Sequence, residues 1–452
     1  MNKAYDLIVI GSGTAAMVAA NRMAAAGKKV AVIDFRPFGG TCALRGCDPK
    51  KMLITGAQVM DDIRRMRWRG VVADDAHIGW RELIEFKRTF TGPVPQKQEK
   101  NYADKGVDTY HTHARFTGPR SLEVEGTGSL DASHILIAAG ARPAPLGFPG
   151  EEHLIDNEGF LELDELPKRL VLVGGGYIAS EFSHIAARAG AQVTVLQRGD
   201  RILTHFDPDL VGWLMDSFAA VGIDVRTGHS VEAVEKTGEG FTVRARTKDG
   251  GTVTVDADLV VHAGGRIPDL DSLELEVAGI ERDERGHLKL NEYLQSVSNP
   301  SVYAAGDAAQ VGPPLTPVSS HDAKVVVGNL LDGNKHRPDY RAVPSVAFTI
   351  PPIAAVGLGE SEAREKGIKF RVKSERTSTW YTARRVAEPV YGYKVMIEEG
   401  SNHIIGAHLV GPHVDEVINV FALAMRHGLT SEDLNSTIFA YPTGASDIGY
   451  ML

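Results

Sequence analysis

The thiols of this 452-residue chain are Cys42 and Cys47, which are separated by four residues. Residues 1–10 have the pattern of a β-strand rather than of a secretion signal, so we expect a cytoplasmic protein. Cytosolic cysteine pairs are typically catalytic or redox-active, because structural disulfides belong mainly to oxidising compartments. A zinc site needs four ligands, and no neighbouring His or Cys cluster supplies the other two. The pair is therefore predicted to be a redox dithiol and no metal site is predicted, while two inert buried thiols stay an open alternative.

A dinucleotide-binding pattern precedes the cysteine pair. Residues 4–10 are mostly apolar and predict a buried parallel strand, followed by a G-x-G-x-x-A turn, a helix over 17–26 and a strand over 28–33. In such a turn Gly11 permits the tight bend, Gly13 lets the backbone approach a pyrophosphate, and the helix N-terminus stabilises its charge. Asp34 ends the second strand, where a carboxylate can hydrogen-bond a ribose hydroxyl.

The same pattern occurs a second time. A strand is predicted over 169–173, a G-G-G-Y-I-A turn and helix over 174–189, and a strand over 192–196. Two dinucleotide sites imply two dinucleotides, most simply FAD and NAD(P)H.

The residue at the end of the second strand of this copy bears on the choice of nucleotide. Gln197 stands where the first copy has an acid, so it does not repel the 2′-phosphate of NADPH. Arg198 and Arg201 follow, and guanidinium groups suit phosphate oxygens. The alternative is that both arginines lie on an exposed turn, where Asp200 between them weakens the attraction. NADPH is therefore favoured, and NADH stays open.

Seven motifs in a fixed order resemble the FAD-dependent pyridine nucleotide-disulfide oxidoreductases, the family that contains glutathione reductase, lipoamide dehydrogenase and mercuric reductase. The first is the fingerprint that begins at Gly11. The others are G-G-T-C-x4-C-D-P-K-K at 39–51, G-G-G-Y-I-A-S-E at 174–181, G-R-I-P at 265–268, V-Y-A-A-G-D-A-A at 302–309, L-T-P-V at 315–318 and F-T-I-P-P-I-A-A-V-G-L at 348–358.

The resemblance implies an α/β fold with two doubly wound, Rossmann-like dinucleotide-binding domains and a C-terminal α+β dimerisation domain. We expect the FAD domain at 1–148 and 266–337, the NAD(P) domain at 149–265 and the dimerisation domain at 338–452. In the last domain, strands are predicted near 344–349, 370–378, 392–398 and 403–410, with a helix over 414–427. The resemblance also implies a homodimer in which the second chain completes each active site, so that Tyr441 of one chain is a catalytic residue serving Cys42 of the other and a monomer is inactive.

Catalytic roles also come from the resemblance. It implies that Cys47 is the thiol nearest the flavin and that Cys42 attacks the substrate. Lys50 would pair with Glu181 beside the isoalloxazine, and Tyr177 would cover the nicotinamide pocket. Solvated charges and a helix-surface aromatic are the alternatives for these last three.

The expected cofactor-binding residues fall into two groups. Around the first fingerprint and the segments that return to it they are Gly11, Gly13, Ala15, Asp34, Gly40, Thr41, Lys51, Ala139, Gly140, Gly306, Asp307, Thr316 and Pro317. Around the second fingerprint they are Gly174, Gly176, Tyr177, Ile178, Gln197, Arg198, Arg201 and Gly265.

The chain departs from the family pattern near its C-terminus. Disulfide reductases of this family carry a His-Pro-Thr-x-x-Glu segment there, whereas Tyr441 stands at the His position and Ser446 at the Glu position. A Tyr, with an ordinary pKa of about 10, cannot move a proton at neutral pH as a His with a pKa of about 6.5 can. Disulfide reduction is therefore slow, or Asp447 or the substrate supplies the proton. Structural roles are favoured for His413 and His427.

Three possible functions stay open, two of which differ in the electron acceptor. The first is a small disulfide reduced with NADPH, as in glutathione reductase. The alternative is a non-disulfide acceptor such as a quinone or a soft metal ion; mercuric reductase also has a Tyr at the position of Tyr441, but the C-terminal cysteine pair of that enzyme is absent here. A non-catalytic subunit docked in a larger assembly is the third.

Charge and hydropathy narrow the range of partners. The net charge of −9 argues against nucleic-acid binding. No apolar run approaches the roughly 18 to 20 residues of a membrane span. We therefore expect a small-molecule substrate and no membrane association.

Overall fold

The computed structural model describes residues 3–452, which form two compact units. The first unit comprises the chain up to Lys50, residues 86–144 and residues 266–340. The second comprises residues 51–85, 145–265 and 341–452.

Strands and helices alternate at the two fingerprints, whereas successive strands without an intervening α-helix occupy 108–143 and 224–268. The strands are β1 (Lys3–Ile10), β2 (Val30–Ile33), β3 (Asp108–Tyr110), β4 (Ala114–Gly118), β5 (Ser121–Val124), β6 (Gly128–Ile137), β7 (Ala141–Pro143), β8 (Arg169–Val173), β9 (Gln192–Gln197), β10 (Asp224–Thr227), β11 (His229–Thr237), β12 (Gly240–Thr247), β13 (Thr252–Ala257), β14 (Leu259–His262), β15 (Arg266–Pro268), β16 (Val302–Ala304), β17 (Ser345–Ala347), β18 (Ile353–Gly357), β19 (Phe370–Arg376), β20 (Gly392–Glu398) and β21 (Ile404–Val410). The helices are α1 (Thr14–Ala25), α2 (Gly40–Arg45), α3 (Cys47–Met66), α4 (Trp80–Thr91), α5 (Val94–Ala103), α6 (Asn157–Leu161), α7 (Tyr177–Arg188), α8 (Pro208–Ala220), α9 (Thr316–Asp332), α10 (Glu360–Glu365), α11 (Tyr381–Arg385), α12 (Val414–His427), α13 (Ser431–Ser436) and α14 (Ile448–Met451).

The first unit is built on a mixed sheet with the strand order β3-β2-β1-β6-β5-β4, in which β16 also pairs with β6. The pairs β1–β2, β1–β6, β2–β3 and β6–β16 are parallel. Strand β1 is central, so its side chains are buried on both faces, as in Leu7, Ile8 and Val9. The carboxyl ends of β1, β6 and β16 therefore meet at one edge, where open α/β sheets bind their ligands.

The second unit contains three sheets. The strands β10-β9-β8-β14 form a parallel sheet that contains the second fingerprint, and β11-β12-β13 form an antiparallel one. The C-terminal part is an antiparallel sheet with the order β17-β18-β21-β20-β19, against which α12 packs.

The predicted fold class is confirmed: two α/β dinucleotide-binding motifs and a C-terminal α+β region are all present. Helix α1 begins earlier than the predicted residue 17, because the helix follows the fingerprint glycine Gly13 directly. The domain boundaries stay a prediction. No helix within residues 3–452 combines the length and apolarity needed to cross a membrane.

Candidate active site

The two cysteines flank a break between helices α2 and α3. Cys42 lies within α2, Gly46 interrupts the helical backbone with φ −145°, and Cys47 is the first residue of the 20-residue helix α3. The sulfurs are not joined, yet they lie close enough for a hydrogen bond between Cys42 and Cys47. The Cys47 sulfur is also 3.7 Å from the Thr316 hydroxyl. Because the N-terminus of a helix stabilises negative charge, this position favours a thiolate.

The Cys42 thiol is half-buried and its environment opposes ionisation. The hydrogen bond with Cys47 raises the pKa of Cys42, and burial and the charge of Asp48 raise it further. A hydrogen bond from Thr316 acts in the opposite direction. Cys42 donates a hydrogen bond to Asp48 Oδ1 at 3.9 Å.

Asp48 was missed by the sequence analysis. It follows Cys47 in the C-D-P segment, but the sequence does not show that its side chain contacts Cys42. The contact with Cys42 depends on the backbone break at Gly46, which returns the first turn of α3 towards α2.

The backbone beside the dithiol fits a pyrophosphate cradle. Gly11 has φ +103°, and a Cβ there would lie 2.3 Å from the carbonyl oxygen of Ala138. Gly40 has φ +72°, and its Cβ would lie 2.2 Å from the Cα of Gly13. The N-cap of α1 is Gly13, which offers no capping side chain, so the first N–H groups of the helix are available to an anion.

Two carboxylates lie at this edge of the sheet. Asp34, at the end of β2, accepts hydrogen bonds from the Ser12 amide at 2.8 Å and the Ser12 hydroxyl at 2.6 Å, which orient it. Burial raises the pKa of Asp307, which follows β16, and Arg266 partly opposes the shift. A half-buried carboxyl of this kind is stabilised by a hydrogen-bonding partner, and the hydroxyl groups of a ribityl chain would provide one. These residues therefore fit FAD.

The remaining residues predicted around FAD are distributed over the same unit, with one exception. Lys51 belongs to the second unit, where its ammonium lies 3.6 Å from the centre of the Phe348 ring and 3.8 Å from Asp415. Those in the first unit are Ala15 in α1, Thr41 in α2, Ala139 and Gly140 after β6, Gly306 after β16, and Thr316 and Pro317 at the start of α9.

The second fingerprint has the same local geometry as the first. Gly174 has φ +121°, and a Cβ there would lie 2.2 Å from the carbonyl oxygen of Ala263. Gly176 caps α7, which begins with Tyr177 and Ile178. Gly265, with φ +114°, follows β14.

Two side chains of α7 were assigned catalytic or nicotinamide roles. The Tyr177 ring packs edge-on against Phe206 with centroids 5.5 Å apart, and burial raises the pKa of its hydroxyl. Glu181 is buried and its Oε1 accepts a hydrogen bond from the Phe348 amide at 2.8 Å. Lys50 lies in the first turn of α3. Its pairing with Glu181 stays a prediction.

A cavity of about 340 Å³ adjoins the carboxyl end of β9. Arg198 lines it, whereas Arg201 donates hydrogen bonds to the carbonyl oxygens of Thr204 and Phe206 and so holds the loop. Gln197 donates to the carbonyl oxygen of Arg201 at 3.3 Å. The other lining residues are Gly199, Asp200, Gly228, Ser230, Arg246, Thr247 and Lys248.

Tyr441 and Asp447 of the C-terminal segment, which the sequence analysis considered in relation to the proton supply, differ in their exposure to solvent. The Tyr441 side chain is 79% exposed. Asp447 is buried, and its Oδ2 accepts a hydrogen bond from the Tyr391 hydroxyl at 2.7 Å. Asp447 therefore stabilises the C-terminal turn and is not positioned as an exposed proton donor.

The chain belongs to a known family of flavoenzymes. Residues 5–323 match the family described as pyridine nucleotide-disulphide oxidoreductase, and residues 343–451 match the dimerisation domain of the same family. The predicted family and enzyme class are thereby confirmed. The chain is an oxidoreductase of a family that depends on FAD and uses NAD(P)H as electron donor, and the dimerisation domain supports a homodimer.

Individual relatives differ in their named substrates. The chain is 33% identical to a mercuric reductase of Staphylococcus aureus, covering 98% of this chain and 81% of that protein. It is 31% identical to a glutathione reductase of Burkholderia cepacia, covering 98% of this chain and 97% of that protein. The structure resembles the HOCl-induced flavoprotein disulfide reductase RclA of Escherichia coli with a TM-score of 0.89, 28% identity and 99% coverage of both chains; a Cu(II) complex of that protein has also been solved.

Proposed function

We propose that this protein transfers electrons from NADPH through FAD and the Cys42–Cys47 pair to a small disulfide. The observation that carries the proposal is the pair itself: two thiols within hydrogen-bonding range, with Cys47 at a helix N-terminus. When bound, FAD would supply the two-electron relay between the nicotinamide and the dithiol.

The chain's own contribution is to hold and order these groups. Gly11 and Gly13 leave room for the pyrophosphate, Asp34 would bind the ribose, and Asp307 would bind the ribityl chain. The Cys42 thiolate then attacks one sulfur of the substrate, releasing the first product thiol. Cys47 attacks Cys42 in the mixed disulfide, which releases the second thiol and forms the Cys42–Cys47 disulfide.

The cavity beside β9 supports NADPH as the donor. Three cationic side chains, Arg198, Arg246 and Lys248, line it together with one acid, Asp200. Asp200 is engaged by Lys248 at 2.7 Å. The net positive lining suits the 2′-phosphate that distinguishes NADPH from NADH.

The nucleotide choice is tested by Arg198→Ala and Arg246→Ala. Each should raise KM for NADPH about 3- to 10-fold, the size expected of an exposed charged contact, and leave KM for NADH within about 2-fold. Arg244→Ala is the matched control, because Arg244 lies on the same strand as Arg246 but does not line the cavity. Both arginines form an ion pair at 3.2 Å, Arg244 with Glu235 and Arg246 with Glu232. A wild-type enzyme that prefers NADH would contradict the proposal.

A non-disulfide acceptor is the second candidate. It is favoured by Tyr441, which replaces the expected His, and by similarity to a mercuric reductase and to RclA, whose Cu(II) complex is known. Reduction of a soft metal ion consumes no proton, and a quinone does not need a group that deprotonates Cys42 for attack on a disulfide.

One anaerobic experiment separates the two candidates. The enzyme is reduced with NADPH, glutathione disulfide is added, and reoxidation is followed by absorbance, in the wild type and in Cys42→Ser. Disulfide reduction predicts fast reoxidation of the wild type only, since Cys42→Ser should keep flavin reduction and lose disulfide turnover. Wild-type enzyme that stays reduced with glutathione disulfide but is reoxidised by a quinone or Hg²⁺ would favour the second candidate.

A further inference from the structure

The attack of Cys42 on a disulfide requires a group that takes its proton and returns it to the leaving thiol. Tyr441 is poorly suited at neutral pH, and Asp447 is buried against Tyr391. A group of the same chain close to Cys42 is therefore the next candidate to carry this proton.

Asp48 is the carboxylate in contact with this thiol. Its Oδ1 accepts the hydrogen bond from the Cys42 sulfur at 3.9 Å, and it lies on solvent-accessible surface in the first turn of α3. Catalytic hydrogen bonds are often long before substrate binds and tighten in the complex. Cys47 and the hydroxyl of Thr316 also interact with Cys42.

We propose that Asp48 is a catalytic acid-base residue that serves Cys42, an inference that rests on the proposed reduction of a disulfide. The Asp48 carboxylate accepts the proton of Cys42 as the Cys42 sulfur bonds to one sulfur of the substrate and the substrate S–S bond breaks. The protonated carboxyl then transfers that proton to the departing thiolate. The net change is Cys42–SH plus R–S–S–R giving Cys42–S–S–R plus R–SH, and Asp48 returns to its ionised form.

The surroundings of Asp48 favour its role as an acid, whereas its own negative charge makes Cys42 harder to ionise. Partial burial raises the pKa of Asp48, which brings its carboxyl closer to the range of a useful acid. At the same time the negative charge of Asp48 raises the pKa of Cys42. A carboxylate that acted only through its charge would therefore slow the thiol, whereas one that carries the proton would accelerate it.

The variant Asp48→Asn gives opposite results for these two roles. If Asp48 carries the proton, kcat/KM for glutathione disulfide should fall about 100-fold or more and lose its acidic limb. Asp48→Glu should recover part of the rate. Reduction of the flavin by NADPH and the FAD content should stay within about 2-fold of wild type, since these readouts report folding and the first half-reaction.

A disulfide with a different leaving group completes the test. 5,5′-Dithiobis(2-nitrobenzoate) releases an aromatic thiolate of low pKa that needs no proton, so with this disulfide Asp48→Asn loses only the removal of the Cys42 proton, and its rate should fall less than with glutathione disulfide. An unchanged or faster rate of Asp48→Asn with glutathione disulfide would overturn the role of Asp48 alone. Equal losses with both disulfides would overturn the return of the proton to the leaving thiol. A wild-type enzyme that reduces neither disulfide would overturn the proposed function itself.

Discussion

At the scale of single residues, Tyr441 should limit disulfide reduction, because it stands where the family carries a His. Tyr441→His restores a group that titrates near neutral pH, and its exposed position means that the change should not disturb folding. We expect kcat/KM for glutathione disulfide to rise by about 10-fold or more, with the larger gain in the Asp48→Asn background.

The measurement is a pH–rate profile with glutathione disulfide, in which the variant should gain an inflection near the ordinary pKa of His, about 6.5. Tyr450→His is the control, since Tyr450 is also an exposed tyrosine of the C-terminal segment. A rate that Tyr441→His leaves unchanged both in the wild-type and in the Asp48→Asn background would show that the proton argument is wrong.

The sequence could predict residues whose role is set by their immediate neighbours. Gly11 and Gly174 were predicted because a tight turn makes a local demand on the backbone, which their positive φ angles meet. Asp48 could not be predicted, since its contact with Cys42 arises from the break between two helices. The roles of Lys50 and Glu181 stay predictions.

At the scale of secondary-structure elements, features set by neighbouring residues could again be predicted, whereas features set by distant segments could not. The fingerprint strands and helices were predicted to within a few residues, because hydrophobic periodicity and glycine turns are local signals. The cavity beside β9 was not, since it depends on pairing between distant segments: the Gly228 amide donates to the Gly199 carbonyl oxygen, and Thr247 pairs with His229 across β11 and β12. That register brings Arg246 and Lys248 to the loop that carries Arg198.

The packing of α3 against α7 in the second unit carries a prediction about pH. Asp61 of α3 binds Arg65 at 2.7 Å and Arg188 of α7 at 2.9 Å, and Glu388 lies 3.6 Å from Arg65, all with buried side chains. Burial raises the pKa of Glu388 to about 7, although Arg65 opposes the shift. The folded state therefore binds the proton of the Glu388 carboxyl more tightly than the unfolded state does. The protonated carboxyl contributes to the free energy of unfolding below the ordinary Glu pKa, and this contribution is lost as the pH rises through 7.

Glu388→Gln should remove the loss of stability that Glu388 causes as the pH rises through 7. The shift corresponds to roughly 3 kcal/mol at about 1.4 kcal/mol for each pKa unit, so the drop in the thermal unfolding midpoint between pH 5 and pH 8 should be smaller in the variant than in the wild type. Glu399→Gln, at an exposed position in the turn after β20, is the control. Identical pH dependence in wild type and Glu388→Gln would refute the assignment.

At the scale of the whole molecule, the dimerisation domain contains apolar side chains that one chain leaves exposed. Ile438, three residues before Tyr441, is 98% exposed, which is unusual for a large apolar residue and typical of a surface that a partner covers. Because a two-fold interface uses the same surface twice, one substitution there changes the dimer at two places.

Ile438→Asp should therefore weaken the dimer without unfolding the chain, since little of a single chain packs against this side chain, whereas burying an unpaired carboxylate in an interface costs several kcal/mol. Sedimentation equilibrium should show monomers. Val72→Asp, at a valine that is 84% exposed and lies outside the matched dimerisation domain, should remain dimeric. If the second chain completes each active site, the monomer should keep FAD and its reduction by NADPH but lose disulfide turnover. A monomer that turns over disulfides at the wild-type rate would show instead that each chain holds a complete site, which would leave Asp48, and not a residue of the second chain, as the group that serves Cys42.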